Sequence, residues 1–160
     1  MTPFTIDYLA DHLDWAPLLG AWHHREWRAL MPDWSLAEAI AELASHTGRR
    51  MIPTTLVAVR DGEPLGSVSL LLEDLPELRP YSPWLASLYV LPAARGAGIG
   101  RALARRAMQD AAALGVTELF LFSAGQQGFY QKLGWTRRAE FDCHGQPASV
   151  MSIDLRIAGE

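Results

Sequence analysis

The sequence WLASLYVLPAARGAGIGRALARRAMQDAAAL occupies residues 84 to 114 and contains the segments that decide the fold. Its first part, Trp84 to Val90, is mostly apolar, carries aromatic and β-branched residues and follows Pro83, which predicts a buried strand. Apolar residues then recur at helical spacing from Ile99 to Leu114 with arginines between them, and Gly115 indicates where the helix ends. The stretch therefore predicts a strand, a turn and a helix in succession.

Three glycines, Gly96, Gly98 and Gly100, lie in the turn and allow a ligand to approach the backbone closely. Unpaired amides and the positive end of the helix dipole make such a turn favourable for phosphate. The spacing is not that of a dinucleotide-binding G-x-G-x-x-G motif, because Arg101 or Leu103 stands where the third glycine would be. The Gly-Lys-Ser/Thr triplet of a Walker A loop does not occur in the sequence.

The pattern Arg95-x-x-Gly98-x-Gly100 after a strand resembles the acetyl-CoA pyrophosphate loop of the GNAT superfamily of N-acetyltransferases, Arg/Gln-x-x-Gly-x-Gly/Ala. A second motif, FYQKLGW over residues 129–135, resembles the helix that lies beside the coenzyme thiol in the same family, with Tyr130 where a tyrosine commonly protonates the leaving thiolate. Either segment alone could serve packing only, but their order and separation favour the functional interpretation. The resemblance extends from about Thr55 to the C-terminus.

The resemblance implies a coenzyme wedged between a fourth and a fifth strand that splay apart. Backbone groups of Leu88 and Val90 would bind the pantetheine, the Val90 amide would stabilise the oxyanion, and amides of residues 96–101 would hold the pyrophosphate, with Arg95 and Arg101 adding charge. The residues expected at the coenzyme site are Leu88, Tyr89, Val90, Arg95, Gly96, Ala97, Gly98, Ile99, Gly100, Arg101, Ser123 and Tyr130.

The fourth strand does not supply a general base. Many members of the family carry a glutamate there, but Trp84 to Val90 contains no acidic residue. Glu73 or Asp74 is the expected substitute, acting through water if necessary. Two alternatives stay open: Tyr89 and Ser123 could order a water chain, or a partly unprotonated acceptor could react without a strong base.

The acceptor site is expected between the first helix, the acidic and proline-rich loop before the fourth strand, and the start of that strand. Its predicted residues are Trp22, Glu26, Trp27, Tyr81 and Trp84, with Glu73 and Asp74 attracting a cation. These features predict acetyl transfer from acetyl-CoA to a primary amine of a small molecule or a chain terminus. The alternatives are a non-catalytic acyl-CoA sensor, against which Tyr130 argues, and an acetyltransferase that modifies proteins.

Composition bounds the remaining possibilities. The chain has 160 residues, 49% of them hydrophobic, which predicts one domain over residues 1–160 with a substantial core. The net charge of −4 argues against nucleic-acid partners, and the lack of a long apolar run argues against membrane insertion. A single cysteine, Cys143, excludes an internal disulfide and favours a reducing, cytoplasmic location. The chain is expected to act as a monomer or a homodimer.

A metal site is not expected. His23, His24 and Glu26 lie on one helical segment, but adjacent histidines on a helix point about 100° apart and make poor joint ligands. The neighbours Cys143 and His144 are interpreted as turn residues, since a catalytic pair needs facing side chains and an orienting third group.

The remaining periodicities complete an order of β-α-α-β-β-β-α-β-α-β-β. This order, together with the resemblance, predicts an α/β fold with a mixed, mostly antiparallel central sheet flanked by helices, as in GNAT proteins. Strands are predicted at Phe4–Tyr8, Thr54–Arg60, Leu65–Leu72, Thr117–Ser123, Trp135–Phe141 and Ser149–Leu155. Helices are predicted at Asp11–Leu30 and, after a Ser35–Glu38 capping box, as far as about His46.

Overall fold

The computed structural model of the chain describes residues 3–78 and 80–158, with the backbone alone for residues 157 and 158. The strands, numbered in chain order, are β1 Thr5–Tyr8, β2 Thr54–Arg60, β3 Glu63–Leu71, β4 Trp84–Val90, β5 Glu118–Ser123, β6 Thr136–Cys143 and β7 Gln146–Asp154. The helices are α1 Ala16–Trp27, α2 Leu36–Ala44, α3 Ile99–Ala113, α4 Gln127–Gln131 and α5 Leu155–Ala158.

The strands form one mixed sheet in the order β1-β2-β3-β4-β5-β7-β6. Neighbouring strands pair antiparallel except β4 and β5, which are parallel and are joined by the crossover helix α3. The predicted fold class, a mostly antiparallel α/β sheet with flanking helices, is confirmed. The described part of the chain contains no helix with the length and apolar character needed to cross a membrane.

Helices cover both faces of the sheet because their apolar stripes match the strand faces they meet. On one face, Leu103 of α3 is fully buried in a cluster with Leu70 of β3. On the other face, Leu19 of α1 and Leu43 of α2 pack against Val57 of β2. Helices therefore cover both faces of the sheet beside the central strand β4.

The predicted first helix differs from the observed one at its start. Residues 9–15 form two short 3₁₀ turns, and α1 begins only at Ala16, with Pro17 in its first turn. Proline has no amide hydrogen and is tolerated only in the first turn of a helix, where no helical donor is needed, so the helix begins just before Pro17 and not as far back as Asp11. The second helix begins as predicted, since Ser35 and Glu38 form the reciprocal hydrogen bonds of a capping box, both 3.0 Å.

The last hairpin is tighter than predicted. The strands β6 and β7 run to Cys143 and from Gln146, so the turn contains only His144 and Gly145, with φ angles of 49° and 90°. The Asp142 carboxylate accepts a hydrogen bond from the Gly145 amide (3.0 Å), which stabilises this turn. His144 is thus a turn residue, as expected.

Candidate functional site

The sheet is open between β4 and β5. The two strands pair at Trp84 and Phe120, where the Phe120 amide donates to the Pro83 carbonyl (3.0 Å), and then diverge. A cavity of about 1050 Å³ lies in this gap and is lined by residues from both strands, from the turn before α3 and from α4. The predicted splay of the fourth and fifth strands is therefore present in the structure.

The edge of β4 directs backbone groups into the gap. The Leu91 amide donates to the Leu65 carbonyl (2.9 Å) and so faces β3. Successive strand residues direct their hydrogen-bonding groups to opposite sides, which places those of Val90 and Leu88 toward the cavity. The Val90 carbonyl accepts a hydrogen bond there from Arg95 Nε (2.9 Å).

A β-bulge at Ser87 changes which side chains of β4 face which layer. Ser69 pairs with Ala86 while Ser67 pairs with Tyr89, so β4 contains one residue more than β3 at this point, and Ser87 has a φ of 57°. Leu85 and Leu88 consequently pack on the α3 face although they are three residues apart, and Tyr89 turns toward α1. Sequence reasoning missed this bulge.

The turn before α3 presents unpaired amides to the cavity. Gly96 and Gly98 have φ angles of 85° and 81°, in a region that is strongly disfavoured for residues other than glycine. The first helical hydrogen bond joins the Ala102 amide to the Gly98 carbonyl (3.0 Å), which leaves the amides of the preceding three residues without helical partners. No side chain in the described ranges caps this end, and Arg101 stands in the first turn, where the dipole favours an anion.

Tyr130 lines the same cavity from α4 and is held by neighbouring rings. Its ring makes edge-to-face contacts with Phe129 (5.1 Å between centroids) and Trp135 (6.1 Å), and only 9% of the residue is exposed. Burial raises the pKa of the Tyr130 phenol well above its usual value of 10, so the hydroxyl stays protonated at neutral pH.

A network of hydrogen bonds fixes α4 to the end of β5. The Gln126 amide donates to Ser123 Oγ (2.9 Å), and Gln127 Nε2 donates to the Ser123 carbonyl (3.0 Å). Gln127 Nε2 also reaches Ser149 Oγ on β7 (3.3 Å). These bonds set the position of the helix that carries Tyr130.

The far end of the cavity is acidic and aromatic. Glu26, Glu42 and Asp74 line it, together with the apolar side chains Trp27, Met31 and Trp34. Burial and the negative charge of Glu42 raise the pKa of Asp74 to about 7. Asp74 can therefore exchange a proton near neutral pH.

Several predicted acceptor residues lie elsewhere. Trp22 is buried against Tyr89 (5.8 Å between ring centroids), and Trp84 is fully buried among Tyr81, Phe120 and Phe122. Trp22, Tyr81 and Trp84 thus belong to the cores rather than to the cavity lining, because their strand and helix faces point away from the gap. Glu73 is exposed and Ala97 is likewise outside the lining.

Other predicted residues lie together as expected. Glu26, Trp27 and Asp74 line one end, and the residues predicted for the coenzyme, apart from Ala97, line the rest: Leu88, Tyr89, Val90, Arg95, Gly96, Gly98, Ile99, Gly100, Arg101, Ser123 and Tyr130. Glu42, Met31 and Trp34 were missed. The sequence could not show that Glu42 lines the cavity, because the amphipathic pattern of α2 does not reveal that this helix packs beside the loop at residue 74.

The histidines and the cysteine take no part in a metal centre within the described ranges, where no group of three His, Cys, Asp or Glu side chains could hold an ion. His23 is buried and its Nε2 lies 2.9 Å from Ser67 Oγ. Cys143 is buried and free, and burial raises the pKa of its thiol.

Residues 12–135 match the model of the acetyltransferase (GNAT) family. No curated protein matches the chain in sequence. The fold is shared with yncA from Salmonella typhimurium, whose structure contains its cofactor acetyl-CoA (TM-score 0.71, 21% identity, covering 96% of this chain and 95% of that chain). It is also shared with an acyl-CoA N-acyltransferase from Pseudomonas aeruginosa (0.65, 22%, 96% and 99%) and an N-acetyltransferase from Staphylococcus aureus Mu50 (0.70, 18%, 96% and 99%).

Proposed function

The chain belongs to the acetyltransferase (GNAT) family, and on that premise we propose that it transfers an acetyl group from acetyl-CoA to a primary amine of a small or terminal-amine acceptor. One observation carries the proposal: a single cavity connects the amide-rich turn before α3, the open edge of β4, Tyr130 and an acidic end. Donor and acceptor could therefore meet in one ternary complex within one domain.

The coenzyme end of the cavity suits an elongated diphosphate. The unpaired amides at the start of α3 would hold the pyrophosphate, and the Val90 and Leu88 backbone groups would bind the pantetheine as an added strand. Binding would release Arg95 from the Val90 carbonyl and leave its guanidinium free to pair with phosphate. When bound, acetyl-CoA supplies the acetyl group as a thioester and leaves as a thiol.

The residues around the reacting centre supply and accept protons. Asp74 would take the proton that an ammonium acceptor must lose to become a nucleophile. The acceptor nitrogen then bonds to the acetyl carbon, the carbon–sulfur bond breaks, and Tyr130 would give its proton to the departing sulfur. The second proton, which the nitrogen loses as it becomes an amide, would return through water to the Tyr130 oxygen. The Val90 amide, which faces the cavity, would stabilise the negative charge that develops on the carbonyl oxygen.

The acceptor end favours a cationic molecule with an apolar part. Glu26, Glu42 and Asp74 would attract the charged amine, while Trp27 and Trp34 would contact its hydrocarbon or aromatic portion. We therefore propose these five residues as the acceptor site and leave out the three core aromatics. Among the residues that the structure describes, no cationic side chain lines the cavity at this end, where it would favour an anionic acceptor.

Mass spectrometry of an amine library incubated with acetyl-CoA and the protein tests this function. We expect acetylation of cationic amines that carry an apolar group and release of free thiol in equal amount. Glu26→Gln should raise the KM for these acceptors, whereas Glu63→Gln, at an exposed position at the start of β3 and outside the cavity lining, should not. Tight acetyl-CoA binding without acetylation of any amine would instead support the sensor function.

A further inference from the structure

A row of polar side chains crosses three strands toward the cavity. Glu140 of β6 lies opposite Ser149 of β7, and Ser149 lies opposite Ser123 at the end of β5. Glu140 is exposed on the edge strand of the sheet, whereas Ser149 is fully buried and Ser123 lines the cavity. The row therefore connects the edge of the sheet with the site proposed for the coenzyme.

The hydrogen bonds along this row have one direction. A carboxylate only accepts, and both oxygens of Glu140 lie 2.9 Å from Ser149 Oγ, so the serine hydroxyl donates its hydrogen to Glu140. Ser149 Oγ then accepts the hydrogen bond from Gln127 Nε2 (3.3 Å). The carboxylate at the edge thus determines which group Ser149 presents to α4.

The side-chain amide of Gln127 is fully used in this arrangement. Its Nε2 donates one hydrogen to Ser149 and the other to the Ser123 carbonyl (3.0 Å), and its Oε1 accepts from the Gly125 amide (3.1 Å). Without the carboxylate of Glu140, the Ser149 hydroxyl would be free to rotate and to donate elsewhere. The amide of Gln127 would then lose its single fixed orientation.

The orientation of Gln127 matters because this residue begins α4, which has only five residues. So short a helix is not stable by itself, and its position depends on tertiary contacts. Tyr130 follows Gln127 by three residues, so a shift of the start of α4 would displace the Tyr130 hydroxyl. A displacement of about 1 Å at a reacting centre can reduce the rate by about 10²-fold.

We propose that Glu140 is a positioning residue for acetyl transfer, which acts through Ser149 and Gln127 to hold the Tyr130 hydroxyl beside the departing sulfur. Glu140 itself is outside the cavity lining. The inference rests on the proposed function, since it assumes that Tyr130 protonates the leaving group in this cavity.

Single-turnover kinetics test the proposal, with acetyl-CoA and the cationic amine of the library that the wild-type protein acetylates fastest. Glu140→Ala should lower the rate constant of acetyl transfer about tenfold or more, but not below that of Tyr130→Phe. The Kd for acetyl-CoA, measured by calorimetry, should change less than about threefold. Glu140→Gln removes the charge but keeps an oxygen that can accept from Ser149, so it should restore most of the rate.

The double variant Glu140→Ala/Tyr130→Phe separates positioning from general stabilisation. If Glu140 acts through the phenol, its loss should change the rate of Tyr130→Phe less than about twofold. Arg137→Gln removes the cation that lies 3.6 Å from the Glu140 carboxylate and should leave the wild-type rate unchanged. Glu140 and Arg137 are exposed, so the variants should fold, and thermal unfolding verifies this.

A wild-type rate in Glu140→Ala overturns the proposal, and so does a fall of the same size in the Tyr130→Phe background. Equal falls in Glu140→Ala and Glu140→Gln also overturn it, since the charge rather than the hydrogen bond would then matter. Each of these results leaves acetyl transfer itself intact. If the wild-type protein acetylates no amine, the proposed function fails and the inference fails with it, which distinguishes the two conclusions.

Discussion

The hydroxyl of Tyr130 lies where burial keeps it protonated and where two aromatic rings limit its movement. A positioned general acid contributes about 10²- to 10⁴-fold to rate, so Tyr130→Phe should lower kcat by that order. The ring and its packing remain, and the Kd for acetyl-CoA should change little. Stopped-flow kinetics and calorimetry measure the two quantities.

A matched control is Tyr81→Phe, which removes a hydroxyl outside the cavity lining and should leave kcat unchanged. If chemistry is rate-limiting and Tyr130→Phe keeps a wild-type kcat, solvent protonates the sulfur and Tyr130 serves packing alone.

The raised pKa of Asp74 gives the second prediction. A base must be deprotonated to act, so kcat/KM should rise with pH through a midpoint near 7. Because the charge of Glu42 helps to raise this pKa, Glu42→Gln should move the midpoint to lower pH. Asp74→Asn should abolish the dependence and lower kcat/KM by about 10²-fold or more.

Glu73→Gln is the control for this prediction, since Glu73 is exposed and outside the cavity. Its pH profile should match the wild type. A midpoint that moves in Glu73→Gln and stays in Asp74→Asn would assign the base to Glu73 instead.

Among the elements, the turn before α3 offers a matched pair of glycines. Gly98 has a φ of 81°, so Gly98→Ala strains the backbone by about 1–3 kcal/mol and misaligns the adjacent amides. At Gly100 a Cβ would lie 3.6 Å from the Val90 side chain and 3.7 Å from that of Phe129, ordinary contact distances.

We therefore expect Gly98→Ala to weaken acetyl-CoA binding at least about tenfold and Gly100→Ala to change it less than about threefold. Calorimetry on both folded variants measures this, with thermal unfolding as a check on stability. Equal affinities in the two variants would place the pyrophosphate away from this turn.

The elements also show what sequence can predict. The strand β4, the helix α3 and the capping box of α2 were identified correctly because propensity, periodicity and caps are local signals. The bulge at Ser87 was missed because a serine with positive φ carries no such signal. Trp22 and Trp84 were placed near the acceptor because the sequence does not reveal which layer each side chain faces.

At the scale of the whole molecule, buried histidines between the helices and the sheet couple stability to pH. His23 is bound to Ser67, and His46 Nδ1 lies 2.7 Å from Thr55 Oγ1. Burial, and secondarily the charge of His46, lowers the pKa of His23 from 6.5 to about 4. Between these values the unfolded chain binds a proton that the folded protein does not, so His23 destabilises the fold as pH falls.

Asp74 has the opposite effect on stability. Because its pKa is raised to about 7, the folded protein binds a proton at a higher pH than the unfolded chain does, so this residue stabilises the fold as pH falls below 7. The contribution of His23 is therefore best measured in an Asp74→Asn background. There we expect the free energy of unfolding to fall by about 2 kcal/mol between pH 6.5 and 4.5 because of His23. Urea titrations at several pH values measure it.

The comparison variant is His23→Gln in the same background, since glutamine can still donate to Ser67. It should show a smaller loss, with the remainder due to His46, whose pKa burial also lowers. The same loss in both proteins would mean that His23 is protonated in the folded state.

The gap between β4 and β5 divides the chain as well as the sheet. Strands β1 to β4 come from residues 5–90 and β5 to β7 from residues 118–154, so the backbone crosses the seam once, through α3. Within the part of the chain that the structure describes, the two half-sheets pair with each other only at Trp84 and Phe120. A coenzyme bound along the gap would contact both half-sheets, so that its binding would couple their unfolding into one transition.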